Sequence, residues 1–370
     1  MSKFRIASVA LVVVLLIFVA RSLTPDKEFH DPLSEDLVVD QIEAGPLVDE
    51  SGTPLGRAQM KRSPERNTCR DDHDSELPNL PAMAAALSKS NDPEHLLMAS
   101  IFGGEERKSQ SSHFPHTPNL DSLFKGLRID PSNDLLLWNA VSLCAQQSDQ
   151  SRCEEAQVPE LATAKLQGNA NFWLRLAGIR AAAGDDDGAL EALERAVEAP
   201  DFKDYYIDHV ELFARGIASY INSPYYERIF YSLGLAAAMW SHEIDMISAC
   251  TTHSPTSTRW MNACVDAGET MEAHGKSLMT EALGIGLQQR MHEISGNAEL
   301  EEAAAIRRQA LKDTLESHAN SKEIAVLSQD DAVLASYIDE WTTGGERQAL
   351  AFLKQETKRV LSIPGYDPCD

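Results

Sequence analysis

Two stretches begin as the helix of a zinc hydrolase begins, His242-Glu243-Ile244 and His292-Glu293-Ile294. That chemistry needs a second imidazole one turn later, so that both rings face one metal. Met246 and Gly296 occupy those positions, and neither motif is completed. Glu272 and His274 are two residues apart and so do not share the helix face that a di-iron bundle uses. His113 and His116, in the loop SQSSHFPHTPN, could hold a metal weakly, but a plain surface loop accounts for them as well. No Gly-x-Ser-x-Gly elbow, Walker loop or GxGxxG is present. Gly284 and Gly286 lie in the apolar run ALGIGLQQ, where they predict close helix packing. No cofactor or metal is implied, and whether the chain is an enzyme stays open, with a non-catalytic role favoured.

A glycosidase would need two carboxylates converging in a cleft. Glu227, Glu243, Glu269 and Glu272 are the candidates, because they sit in the aromatic and apolar part of the chain. The tyrosines are more concentrated. Six of eight fall in one segment: Tyr205, Tyr206, Tyr220, Tyr225, Tyr226 and Tyr231. Tyr combines apolar area with a hydroxyl and is enriched at interfaces. The segment is therefore the expected partner surface, through Tyr205, Tyr206, Tyr225, Tyr226 and Tyr231. Two or more of these rings in one exposed patch would favour binding, and rings spent on helix crossings would not.

The six cysteines are even in number and show no CxxC, CxxCH or zinc spacing. In an exported chain they predict disulfides. Cys144 ends one apolar run and Cys153 begins the next, while Cys250 and Cys264 bracket TTHSPTST. Each pair could staple a helical hairpin, which leaves Cys69 for Cys369.

Export is read from the first residues. Lys3 and Arg5 precede an uncharged run from Ile6 to Ala20. The run is short for a membrane span, yet Phe18 spoils the small-x-small cleavage site before Ala20. An uncleaved anchor over residues 1–23 is favoured above a cleaved signal. The basic end would stay in the cytoplasm, giving a single-pass protein of a bacterial inner membrane with its bulk in the periplasm. A formal net charge of -24 repels phosphate backbones and argues against nucleic acid.

These residues need elements to hold them. Residues 24–78 are rich in Pro, Gly and acidic side chains with little apolar periodicity, and read as a largely disordered spacer. From residue 79 to 364, apolar residues recur at three and four positions between Pro and Gly breaks, which predicts an all-helical domain. Ser328 with Asp331 is the expected cap before AVLASYIDEW, and Gly344-Gly345 the expected turn into the last helix. Residues 365–370 form a tail carrying Cys369.

Residues 173 to 200 resemble a tetratricopeptide repeat, a helical pair of about 34 residues with a large residue early, a small one at the crossing and Pro near the end. Trp173, Leu176, Ala177, Gly184, Ala189, Leu193, Ala196 and Pro200 carry the likeness. Arg180 departs from it, standing where the family usually has Tyr. A second unit starts at Trp138, after RIDPSND, and a partial one is marked by Gly344, Ala349 and Leu353. The resemblance covers about a third of the chain. It implies an irregular array of helical hairpins, solenoid-like, which would follow the single apolar N-terminal helix read from the first residues. It also implies a scaffold that binds a protein or peptide in a groove, with Trp173 on the groove side. An envelope enzyme acting on cell-wall sugars and a structural envelope protein of no specific ligand are the alternatives.

Overall fold

The computed structural model describes residues 78–103, 118–145, 151–237, 239, 241–319 and 322–366. The expected anchor, most of the spacer, Cys69, Cys369, His113 and His116 lie outside the described residues. All regular structure within them is helical, as expected: seventeen helices and one isolated bridge between Asn169 and Asp201. Among the described residues no helix is long and apolar enough to cross a membrane.

The chain opens with α1 (Leu80–Leu87), α2 (Pro93–Phe102) and α3 (Leu120–Ile129). Next come α4 (Asp134–Ala145), the short α5 (Ser151–Glu155) and α6 (Val158–Leu166). Cys144 on α4 is bonded to Cys153 on α5, as the spacing predicts. The helices α7 (Ala170–Ala182) and α8 (Asp186–Glu198) form a helical hairpin. Asp185 caps α8 by accepting from the Gly188 amide at 3.0 Å, and Asp186 and Asp187 add negative charge at the positive end of the helix. Ala189, Ala192, Leu193 and Ala196 form its buried stripe. Arg180 donates to the Gly188 carbonyl at 2.8 Å and so ties the two helices together.

The succession of hairpins then breaks. The pair α9 (Tyr206–Tyr220) and α10 (Tyr225–Ala237) does not stack on α7 and α8. Instead α9 crosses back to α1 and α2, and forward to a later helix. The surfaces of α7 and α8 are covered by α11 (Ser241–His253) and α12 (Thr258–His274) respectively. Those two are joined by the expected Cys250–Cys264 bond.

The array continues with α13 (Leu278–Ser295) and α14 (Ala298–Ala319). Helices α12 and α13 meet at Gly268 and Gly284, where a Cβ on Gly284 would lie 2.5 Å from the Gly268 carbonyl oxygen. The expectation of close packing thus holds for Gly284. The end of the chain folds as α15 (Lys322–Gln329), α16 (Asp331–Gly344) and α17 (Glu346–Leu361), with α16 packed on both α9 and α10. Two local expectations are corrected. Asp330 caps α16, accepting from Ala332 and Val333, while Ser328 lies inside α15 and bonds back to Ala325. The turn into α17 is made by Gly345, whose φ of +87° is left-handed, and Gly344 still belongs to α16.

Candidate functional site

The aromatic segment divides at Tyr205-Tyr206. Tyr205 carries a left-handed φ of +56°, a strained value for a residue with a Cβ. The strain turns the two rings to different neighbours. Tyr205 packs against Trp138, at 5.4 Å between ring centres, with the Lys203 ammonium 4.6 Å from its face. Tyr206 stacks on Trp341 at 5.6 Å and donates its hydroxyl to the Leu233 carbonyl. Both are core residues, 2% and 8% exposed, and burial pushes both phenols well above their ordinary pKa. Trp173 is also buried; its indole N–H donates to the Gln167 carbonyl at 2.7 Å and Arg195 covers its ring. These three residues are corrected from partner surface to packing, because a partner does not reach their rings.

The surface that remains is carried by α10. Tyr225, Tyr226 and Tyr231 are half-buried, and Tyr220, at the end of α9, is exposed. At 3.6 residues per turn the three α10 tyrosines fan around the helix and do not form one stripe. Tyr226 donates to Glu227 at 2.8 Å. The Tyr225 phenol is raised by burial and then by the nearby charges of Glu211 and Asp339, with Arg228 opposing. That proximity links α10 to an adjoining cleft.

The cleft, about 330 Å³, lies between α2, the start of α4 and the outer face of α9. Glu94, Asp134, Asp208, Glu211, Lys203 and Arg215 supply its charge. Arg215 makes two 3.0 Å bonds to Glu94 and sits 3.8 Å from Glu211, while Lys203 pairs with Asp208 at 2.8 Å. Four carboxylates against two cations leave the cleft negative. Burial raises the Glu211 carboxyl, Arg215 lowers it, and Asp208, Asp339 and Glu94 add to the rise.

Behind the cleft is a closed polar centre. Arg175, 2% exposed, donates to Ser142 and to the Met239 carbonyl, lies 3.5 Å from Glu243, and covers the Trp138 ring at 3.4 Å. His209 bonds Asn139 at 2.9 Å and the Tyr205 carbonyl at 2.7 Å. Burial holds the His209 imidazole down at about 4, against the Tyr205 carbonyl, which favours the charged ring. Glu243, one of the expected catalytic carboxylates, is thus an ion-pair partner. The others are dispersed: Glu272 pairs with Arg307 at 2.8 Å, Glu227 serves Tyr226, and Glu269 is exposed on α12.

Besides those of the cleft, two carboxylates converge at one helix start: Asp204 and Glu346 accept from the consecutive amides of Ser277 and Leu278. Sequence reasoning missed them. Ser277 followed by Thr280 does mark a helix start, but partners roughly seventy residues away on both sides leave no local signal. Arg175 was open to discovery, being a lone cation inside the apolar stretch NFWLRLAG. Among the described residues no three His, Cys, Asp or Glu side chains gather as a metal-ligand set.

No family model matches the chain, and comparison with curated proteins and with solved structures likewise finds no match.

Proposed function

We propose that this chain is a non-catalytic, membrane-anchored periplasmic scaffold that binds a protein or peptide partner along α9 and α10. One observation carries the reading: the α9–α10 hairpin leaves the helix stack and sets half-buried aromatic rings beside a cleft with more carboxylates than cations. Such a surface suits a partner segment bearing basic and apolar side chains, the charges setting register and the rings supplying area. The cleft pairs Glu94 and Asp208 with cations, an arrangement fit for recognition more than for proton transfer. The repeat resemblance of residues 173 to 200 supports the same class of function, and the basic, apolar N-terminus supports the address.

The test is photocrosslinking in the native envelope. A photoreactive residue at Tyr226 is compared with one at the exposed Glu302 of α14. One dominant protein adduct from Tyr226 alone, weakened when Glu94 and Asp208 are both changed to neutral amides, supports the scaffold. Equal or absent adducts at both positions would sink the α9–α10 surface and bring the structural-protein reading forward.

A further inference from the structure

Two carboxylates reach one helix start from opposite ends of the chain. The Ser277 amide donates to Asp204 Oδ2 at 3.0 Å, and the next amide, of Leu278, donates to Glu346 Oε2 at 2.7 Å. Asp204 has two further donors, the Thr280 hydroxyl at 3.0 Å and the Tyr206 amide at 3.2 Å. Adjacent amides thus hold two acidic side chains at one helix start, where the presence of Asp204 disfavours charge on Glu346. The positive end of α13 offsets part of that repulsion.

The same place fastens the C-terminal hairpin. The Glu346 amide donates to the Lys276 carbonyl at 2.7 Å, and the Lys276 ammonium reaches the Thr343 carbonyl at 3.4 Å. Arg347 Nε donates to Glu281 at 2.7 Å. Trp341 of α16 stacks on Tyr206 of α9. Gly345 lies against the Lys276 backbone, where a Cβ would stand 3.1 Å from the carbonyl oxygen.

We propose that Glu346, set beside Asp204 at one helix start, is a proton-operated clasp: with Glu346 protonated the α16–α17 hairpin is held to α9 and to the start of α13, and loss of that proton loosens it. The groups facing Glu346 come from every packed element. They are Asp204 and Tyr206 at α9, Lys276 and Glu281 at α13, Tyr337 on α16 and Arg347 on α17. Burial raises the Glu346 carboxyl to about 7; the Leu278 amide opposes this, Asp204 and Glu281 add to it, and Arg347 subtracts. A folded-state value above the ordinary 4.5 makes the contribution fully present below about 4.5 and lost as pH rises through about 7.

The experiment is hydrogen–deuterium exchange on the full-length chain at about pH 5.5 and about pH 8, corrected for intrinsic exchange, with wild type and Glu346→Gln. The expected result is a fall in protection of α16 and α17 by roughly tenfold or more at the higher pH, with α7 and α8 unchanged. Glu346→Gln, which keeps an acceptor oxygen without a titrating proton, should hold protection at both. Identical pH profiles in the two proteins overturn the clasp. Should the variant lose protection at both pH values, the carboxyl ¹³C shift of Glu346 in wild type decides. A midpoint near 7 supports the clasp and one near 4.5 overturns it.

Discussion

Arg175 and Glu346 are both ionisable side chains withdrawn from water, and the molecule treats them in opposite ways. Arg175 is enclosed by α4, α7 and α11, with hydrogen-bond acceptors from two of its neighbours and an aromatic face above it. Its charge is fixed by Glu243, although burial pulls the guanidinium below its ordinary value. Arg175 Nε, Glu243 Oε2 and Trp138 Nε1 lack a hydrogen-bond partner among the described residues, so the enclosure is costly as well as specific. Glu346 is a half-buried residue, and the carboxylates of Asp204 and Glu281 raise it while Arg347 opposes them. A sealed charge must be paired for good, whereas a half-sealed one responds to the proton concentration outside.

The sharpest way to break this comparison is to unpair the sealed charge. Glu243→Leu leaves the guanidinium buried without its counter-ion and should cost about 3–5 kcal/mol in urea unfolding. Glu243→Leu with Arg175→Met should recover at least half of that loss. A double variant as unstable as the single one would show that the ion pair is not what the centre depends on.

The disulfide on the helix that carries Glu243 comes next. Cys250→Ser with Cys264→Ser releases α11 from α12 and should lower stability by about 3 kcal/mol, the loop-closure value for a bridge of this span. Exchange protection should fall in α11 before it falls in α16 and α17. Equal loosening of both would place the two centres in a single cooperative unit.

Protons separate the centres by sign. His209 is held at about 4 in the fold, below its ordinary 6.5. Its contribution is therefore present above about 6.5 and lost as pH falls through about 4, up to about 3 kcal/mol in all. Glu346 runs the other way. The two contributions oppose each other over nearly the same range, so wild-type denaturant resistance should change little between about pH 6.5 and about pH 4.5. His209→Gln should unmask the Glu346 slope, with resistance rising as pH falls through that range, and should leave the loosening of α16 and α17 intact. The smallest effect expected is that of Tyr226→Ala, about 1 kcal/mol or less on stability because the ring is half-buried. Its larger consequence should be loss of the partner adduct from a photoreactive residue at Tyr231.

Local signals carried well in this chain. The hairpin around Gly184, the two short-range disulfides and the close crossing at Gly284 each follow from residues near one another in sequence. Tyr205, Tyr206 and Trp173 misled because an amphipathic ring serves a core as readily as a surface, and composition does not say which side it faces. Helix starts were legible, but the side chains that complete them were not always. Asp330 in place of Ser328 is a shift of two residues within one loop. Asp204 and Glu346 at the start of α13 are contacts across the whole array, and no periodicity encodes them. The departure of α9 and α10 from the stack was equally hidden, since each is an ordinary amphipathic helix taken alone.

That departure bears on how the chain assembles as it leaves the ribosome. Helix α7 emerges early, but the helix that covers it, α11, is separated from it by α8, α9 and α10. Until α11 emerges, the face of α7 that carries Arg175 has no lid, while α9 already has α1 and α2 to fold against. The first half of the molecule can therefore be braced from the outside before its centre is sealed. The sealing step then waits for one late helix and for the oxidation that ties it to the next.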